Sequence, residues 1–188
     1  MVNVYAVHMG RLSFTANISL DGYINDANGG IDWGSISDEV HHFFNDLERQ
    51  NGIHLYGRRL YETMAVWEDL PPTSAVMDEY GEIWRDADKI VFSSTLPDVS
   101  TARTTLERAF FPDYVAELKR SSSENITIGG PTLAAQAFDL IDDLHLVLHP
   151  VVLGGGTRFF PSATARFSLA DSRVFGNGVV HLHYRKES

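Results

Sequence analysis

The sequence predicts an α/β protein built on a mixed, mostly parallel sheet, flanked by helices and finished by a C-terminal antiparallel hairpin. Two observations carry that expectation. Apolar runs of strand length alternate with amphipathic runs of helix length over most of the chain, which is the rhythm of a parallel sheet with crossover helices. The last third drops the helical period for two strand-like runs joined by Gly176-Asn177-Gly178. With 188 residues, of which 44% are apolar and 11% aromatic, the chain fills a single domain over residues 1–188 and is neither disordered nor fibrous.

Leu12 to Ile18 alternates apolar with small or polar residues, as a first strand does, and Ser19 to Trp33 follows as a long loop rich in Gly, Asn and Asp. Ser37 is placed as the N-cap of a helix running to about Gln50, with Val40, Phe43, Phe44 and Leu47 on one face and Gly52 closing it. Ile53 to Tyr56 reads as a short strand ending at Gly57, and Arg58 to Trp67 as a helix. Pro71-Pro72 separates that helix from the next, about Ala75 to Arg85, which leads into a strand from Lys89 to Ser93. Pro112 to Arg120 is a helix with proline in its first turn, Asn125 to Ile128 a strand, and Thr132 to Leu140 a helix. Asp143 to Val152 is a strand that ends before Gly154-Gly155-Gly156, and Ala165 to Phe175 with Val179 to Arg185 make the hairpin.

Composition excludes several functions. Fifteen Lys and Arg against 25 Asp and Glu give a net charge of −10, so the basic footprint of a nucleic-acid binder is missing. With no cysteine there is no disulfide, thiolate nucleophile or sulfur-ligated zinc, and redox chemistry needs a borrowed cofactor. Met1-Val2-Asn3-Val4-Tyr5 lacks a basic region followed by a long apolar one, and no run reaches membrane-spanning length, so a cytoplasmic location without membrane partners is expected. The sequon Asn125-Ile126-Thr127 falls in a strand and reads as accidental.

The chemistry is expected at the carboxyl ends of the parallel strands, where main-chain N–H groups face outward. Ile128-Gly129-Gly130-Pro131-Thr132 passes from strand to helix through paired glycines that let a pyrophosphate approach the main chain, or that simply make a tight turn. Tyr56-Gly57-Arg58-Arg59 repeats the plan with two guanidiniums, suited to phosphate oxygens or to a solvated helix start. A third strand ends in Ser93-Ser94-Thr95, whose hydroxyls could join Arg58 or Arg59 around an adenosine 2′-phosphate, or be ordinary loop material.

In this order the segments resemble the dihydrofolate reductase superfamily, and more closely its branch related to the reductase domain of the riboflavin-biosynthesis deaminase-reductase. The resemblance rests on Asn17-Ile18-Ser19-Leu20-Asp21-Gly22-Tyr23-Ile24, Ile31-Asp32-Trp33, Tyr56 to Glu62, Val91 to Thr95, Ile128 to Leu133 and His149 to Gly154, and so covers nearly the whole chain. It implies a dihydrofolate-reductase-like fold and NADPH as hydride donor. Phosphate contacts are implied at Arg58, Arg59, Ser93, Ser94, Gly129, Gly130 and Thr132, with Gly57 and Leu133 completing the cofactor site. It further implies that the Asn17 to Trp33 loop closes over the nicotinamide, which makes Asn17, Asp21 and Trp33 candidate substrate contacts, and that the protein is a homodimer.

Dihydrofolate reductases place a carboxylate five residues after the loop tryptophan, and Asp38 stands five residues after Trp33. Walled by Phe and Trp, it would have a raised pKa and relay a proton; as a plain helix-start acid it would only favour the helix dipole. His41 and His42 follow one turn later, His42 as a relay and His41 as a substrate contact, or either as a solvated histidine, and the pair departs from the apolar lining of dihydrofolate reductases. His145, His149, His181 and His183 show no spaced metal-ligand motif and are expected as surface strand residues, with no metal bound. The expected function is NADPH-dependent reduction of a small nitrogen-heterocyclic, pterin- or pyrimidine-like, or sugar-linked substrate. The riboflavin-pathway aminouracil reductase is the nearest enzyme alternative, and a non-catalytic NADPH-binding module the alternative of another class.

Overall fold

A computed structural model describes residues 9–187, so the expectation for Met1 to Tyr5 lies outside the described residues. Its strands are β1 (Leu12–Ser19), β2 (Asn51–Gly57), β3 (Asp88–Phe92), β4 (Thr104–Glu107), β5 (Asn125–Gly129), β6 (Asp143–His149), β7 (Phe167–Val174) and β8 (Val180–Lys186). They form one sheet in the order β4-β3-β2-β5-β1-β6-β8-β7. From β4 to β6 every pairing is parallel, and β8 and β7 add the antiparallel hairpin expected from the sequence.

The helices are α1 (Asp38–Glu48), α2 (Arg58–Met64), α3 (Ala75–Asp86), α4 (Pro112–Ser121) and α5 (Pro131–Gln136). Ser37 caps α1, its hydroxyl accepting from the Val40 N–H. Two predicted helices are shorter than expected, α2 and α5 each passing into a 3₁₀ turn, Ala65–Glu68 and Phe138–Leu140. The strand expected to reach Val152 stops at His149. Beyond it, residues 151–159 pair instead with the long loop, through Leu20 N to Val151 O, Ile24 N to Thr157 O and Phe159 N to Gly22 O. Gly156 belongs to this contact, because a Cβ there would overlap the Asn25 carbonyl.

One face of the sheet is apolar. Leu12, Phe14 and Ile18 of β1, Leu144 and Leu146 of β6 and Ile126 and Ile128 of β5 pack there with Val115 of α4 and Leu133 of α5. The opposite face, under α1 and α3, is unexpectedly polar. Trp84 Nε1–H donates to Tyr56 Oη at 3.2 Å, which leaves the Tyr56 hydroxyl proton for His54 Nδ1 at 2.7 Å. His54 therefore carries its own proton on Nε2, 3.6 Å from the buried Glu48 carboxylate. Burial holds the imidazole pKa down to about 4 and pushes that of Glu48 up to about 7.

The strand histidines are not at the surface. His145 and His181 are joined Nδ1 to Nε2 at 3.0 Å, His145 stacks on His183, and His149 is fully buried; of the four only His183 is partly exposed. Each of His145, His181 and His183 finds at least one partner, in a neighbouring imidazole or in Asp143, which is why a polar residue in a strand does not mark a solvent-facing position here.

Candidate cofactor and substrate site

β1 and β5 are paired only through Leu12↔Ile126, Ser13↔Thr127 and Phe14↔Ile128, whereas β1 stays with β6 as far as Ser19↔His149. The other neighbour of β5 is β2, with which it pairs to Tyr56↔Gly129. β5 ends at Gly129 while β1 runs on beside β6, and the junction between them, at the strands' carboxyl ends, is the cleft position at which open α/β sheets take their ligands.

On the β2–β5 side, a Cβ at Gly57 or Gly130 would meet nothing within 4 Å, so the main chain is bare at both strand ends. Gly130 also has φ +86, a conformation that favours glycine. Gly129 is different, since a Cβ there would overlap Leu60 of α2 and lie 3.1 Å from the Tyr56 ring. Its glycine is required by helix packing, while Gly57 and Gly130 are the open positions. Thr132 is exposed in the first turn of α5, but Leu133 is buried in the apolar core and offers a ligand only its main chain.

Arg58 is exposed and donates from Nε to Glu62 at 2.8 Å and from Nη1 to Thr95 Oγ1 at 3.1 Å. A guanidinium and a hydroxyl from two neighbouring strand ends are thus brought together, with Arg59 and Ser94 exposed beside them in sequence. Ser93 is turned to another task, its buried Oγ accepting from the Thr95 and Leu96 N–H groups. Thr95, rather than Ser93, is the hydroxyl that meets the arginine.

On the β1–β6 side the structure joins two of the expected substrate residues through a third. His149 Nε2 lies 2.8 Å from Asn17 Oδ1, and Trp33 meets the imidazole edge-on at 5.5 Å. Burial lowers the His149 pKa, so the ring is neutral; with Nε2–H donated to Asn17, Nδ1 is left as an acceptor. That Nδ1 and Trp33 Nε1 are both buried without a hydrogen-bond partner, an unfilled acceptor and an unfilled donor. Sequence reasoning missed His149; its position at the end of β6, in register with Ser19, is the signal that could have found it.

Asp21 is committed to the loop. Its carboxylate accepts from Ser19 Oγ at 2.7 Å and from the Leu153 and Gly154 N–H groups, and these bonds, the Ser19 hydroxyl foremost, bring its pKa down to about 2. It ties the start of the loop to residues 153–154. Leu20 and Ile31 of the same loop, and Ile36 just after it, expose their side chains.

Asp38 stands exposed in the first turn of α1 and, among the described residues, makes no hydrogen bond or ion pair. The aromatic wall expected around it is used elsewhere: Phe43 packs on Phe175, and Trp33 on His149. His41 and His42 turn toward α3, His41 bonding Asn45 at 3.2 Å and meeting Tyr80 edge-on, His42 lying 3.6 Å from Glu79. The three side chains do not form a hydrogen-bonded relay in this structure.

A model of the RibD C-terminal domain family matches residues 11–181. The uncharacterized protein YyaP of Bacillus subtilis is 29% identical over 186 residues, covering 93% of this chain and 94% of that one. The crystal structure of a putative riboflavin biosynthesis protein from Shewanella sp. PV-4 superposes with a TM-score of 0.75 at 22% identity, covering 95% and 99% of the two chains. That of a pyrimidine reductase-like protein from Corynebacterium diphtheriae gives 0.68 at 15% identity, covering 95% and 92%.

Proposed function

The chain belongs to the RibD C-terminal domain family, and from that premise we propose that it is an NADPH-dependent reductase of a small nitrogen-heterocyclic, pterin- or pyrimidine-like, or sugar-linked substrate. The observation that carries the proposal is the cleft between β1 and β5, bordered by bare main chain at Gly57 and Gly130 and by the Arg58–Thr95 pair. Such a cradle fits a dinucleotide: main-chain N–H groups suit the pyrophosphate, and a guanidinium with a hydroxyl suits a 2′-phosphate. When bound, the cofactor supplies a hydride.

The chain's own residues do the rest. Arg58, Arg59, Ser94, Thr95 and Thr132 grip phosphate oxygens. Asn17, His149 and Trp33 offer hydrogen-bonding groups of both senses, which match the donor and acceptor edge of a heterocyclic lactam. Asp38 and His42 stand on the first turns of α1 to hold or pass the proton taken up by the reduced carbon–nitrogen bond, and the exposed apolar residues of the loop exclude water once substrate is seated. The proposal includes a cytoplasmic location and a homodimer formed through the terminal hairpin, where Leu169 and Val174 are exposed. No described helix is long and apolar enough to cross a membrane.

Thermal unfolding with NADPH, NADH and no ligand tests the cofactor. NADPH at a hundredfold over its dissociation constant adds about 2.7 kcal/mol, NADH adds less, and Arg58→Ala removes the difference. Equal shifts for both cofactors in the parent protein overturn the 2′-phosphate assignment, and no shift with either overturns the reductase. Asp38→Asn is expected to keep the NADPH shift and lose turnover; full turnover reduces Asp38 to a helix-start residue.

A further inference from the structure

At the end of the sheet opposite the cleft, the amino ends of β1, β2, β5 and β6 and the carboxyl end of β8 surround a cavity of about 150 Å³, beside the last turn of α1. That is room for about five water molecules at about 30 Å³ each. Four residues of rising strand, at roughly 3.3 Å each, separate Ser13 and His145 of this cavity from Asn17 and His149 of the cleft.

Its charges are unbalanced. Asp143 is its single carboxylate, and it accepts from Arg11 Nε and from His183 Nε2, both at 2.7 Å, with Arg185 Nε at 3.6 Å. Burial would raise the Asp143 pKa, but the bonds from Arg11 and His183 outweigh it and keep the group ionised. Two guanidiniums line it against one carboxylate, in a chain whose net charge is −10; the neighbouring Asp142, which also acts on Arg11, is paired with Lys119.

Neither guanidinium is used up. Arg11 spends only Nε on Asp143, and both its Nη groups are without hydrogen-bond partners among the described residues. Arg185 pairs with Asp143 only at 3.6 Å, beyond hydrogen-bond reach, so among the described residues its fork donates no hydrogen bond. The carbonyls that end α1 are already occupied: Leu47 O accepts from the Gln50 N–H and Asn51 Nδ2, and Asp46 O from Gln50 Nε2. Asn125, whose Oδ1 accepts from the Arg11 main chain, retains its amide N–H donors. The cavity thus presents donors in surplus, in the paired form that matches tetrahedral oxyanions.

We propose that this cavity is a second binding site, separate from the cleft, for a phosphate-type oxyanion held by the forks of Arg11 and Arg185, either as the free ion or as the terminal group of a small phosphate monoester. The test is calorimetric titration of the full chain with inorganic phosphate and with glycerol 3-phosphate, at constant ionic strength set with chloride. Saturable binding of one ion per chain is expected, weakened at least roughly tenfold in Arg185→Ala and abolished in Arg185→Glu. Tighter binding of the ester identifies a metabolite headgroup as the source, and tighter binding of phosphate the free ion. Both substitutions should fold, because Arg185 is mostly exposed and Asp143 keeps Arg11 and His183; circular dichroism of the variants checks this. Repeating the titration with saturating NADPH occupying the cleft separates the two ends of the sheet, and binding of one ion per chain should persist. Absence of saturable binding, unchanged affinity in both Arg185 variants, or loss of binding when NADPH is present overturns the proposal.

Discussion

Replacing Glu48 by Gln should make the protein more stable in alkaline solution and change little in acid. Glu48 is the last residue of α1 and is turned inward, its carboxylate 3.6 Å from the neutral His54 ring, and burial raises its pKa from 4.5 to about 7. Between those two values the folded chain holds a proton that the unfolded chain releases, so stability falls as pH rises across that window and is level above it. At 1.36 kcal/mol per pH unit, the ionised carboxylate costs about 3 kcal/mol once the pH is well above 7. Gln fills nearly the same space, keeps a carbonyl oxygen facing His54 Nε2, and never ionises. Urea unfolding should therefore show Glu48→Gln about 3 kcal/mol more stable than the parent near pH 8.5, the difference shrinking to under about 1 kcal/mol near pH 5. A difference that does not vary with pH, or a variant less stable at pH 8.5, would refute the assignment of Glu48 as a buried acid ionised at a cost.

The histidines give the opposite limb. Burial, the largest cause, together with the charge of His183 brings His145 to about 3 and His181 to about 4, so both are neutral when folded, and stability is lost as pH falls below the ordinary value of about 6.5; His145→Gln should flatten that acid limb in unfolding curves, and an unaltered slope counts against it. Gly129→Ala should cost about 1–3 kcal/mol by overpacking Leu60, whereas Gly130→Ala should cost about 1–2 kcal/mol through its positive φ and in addition abolish the NADPH shift; thermal scans with and without cofactor tell the two apart, and a normal shift in Gly130→Ala would remove it from the cradle. His149→Ala breaks the bond to Asn17 and leaves space beneath Trp33, so it should lower stability by about 2 kcal/mol and alter tryptophan fluorescence, and an unchanged spectrum would mean that Trp33 is held by other contacts.

The alternation of strands and helices was legible because Leu12, Phe14, Ile126, Ile128 and Leu144 repeat at the spacing of buried strands, and because Ser37, Gly57 and Gly176-Asn177-Gly178 mark where elements begin and end. β4 was missed: it is four residues at the sheet edge, Thr104–Glu107, none of them buried, and it follows Arg103, whose φ of +52 sets the turn into it. The polar face was misread for a different reason. A single-residue pattern treats His145 as solvent-facing, and only the register of β6 with β8 reveals that other polar groups meet it. Of the candidate site, the open glycines and Arg58 follow from strand ends that sequence can locate. The binding of Trp33 to His149 and the turning of His41 and His42 toward α3 depend on contacts between residues far apart in the chain.

Because three residue pairs alone connect β1 to β5, the sheet is effectively two plates sharing a short seam, β4-β3-β2-β5 on one side and β1-β6-β8-β7 on the other. Any molecule long enough to touch Gly130 and Asn17 at once must bridge those plates. Occupancy and stiffness then become the same event: the seam amides of Ile126 to Ile128 would exchange with solvent more slowly whenever the gap is spanned, giving a readout of ligand capture that requires no knowledge of what is turned over.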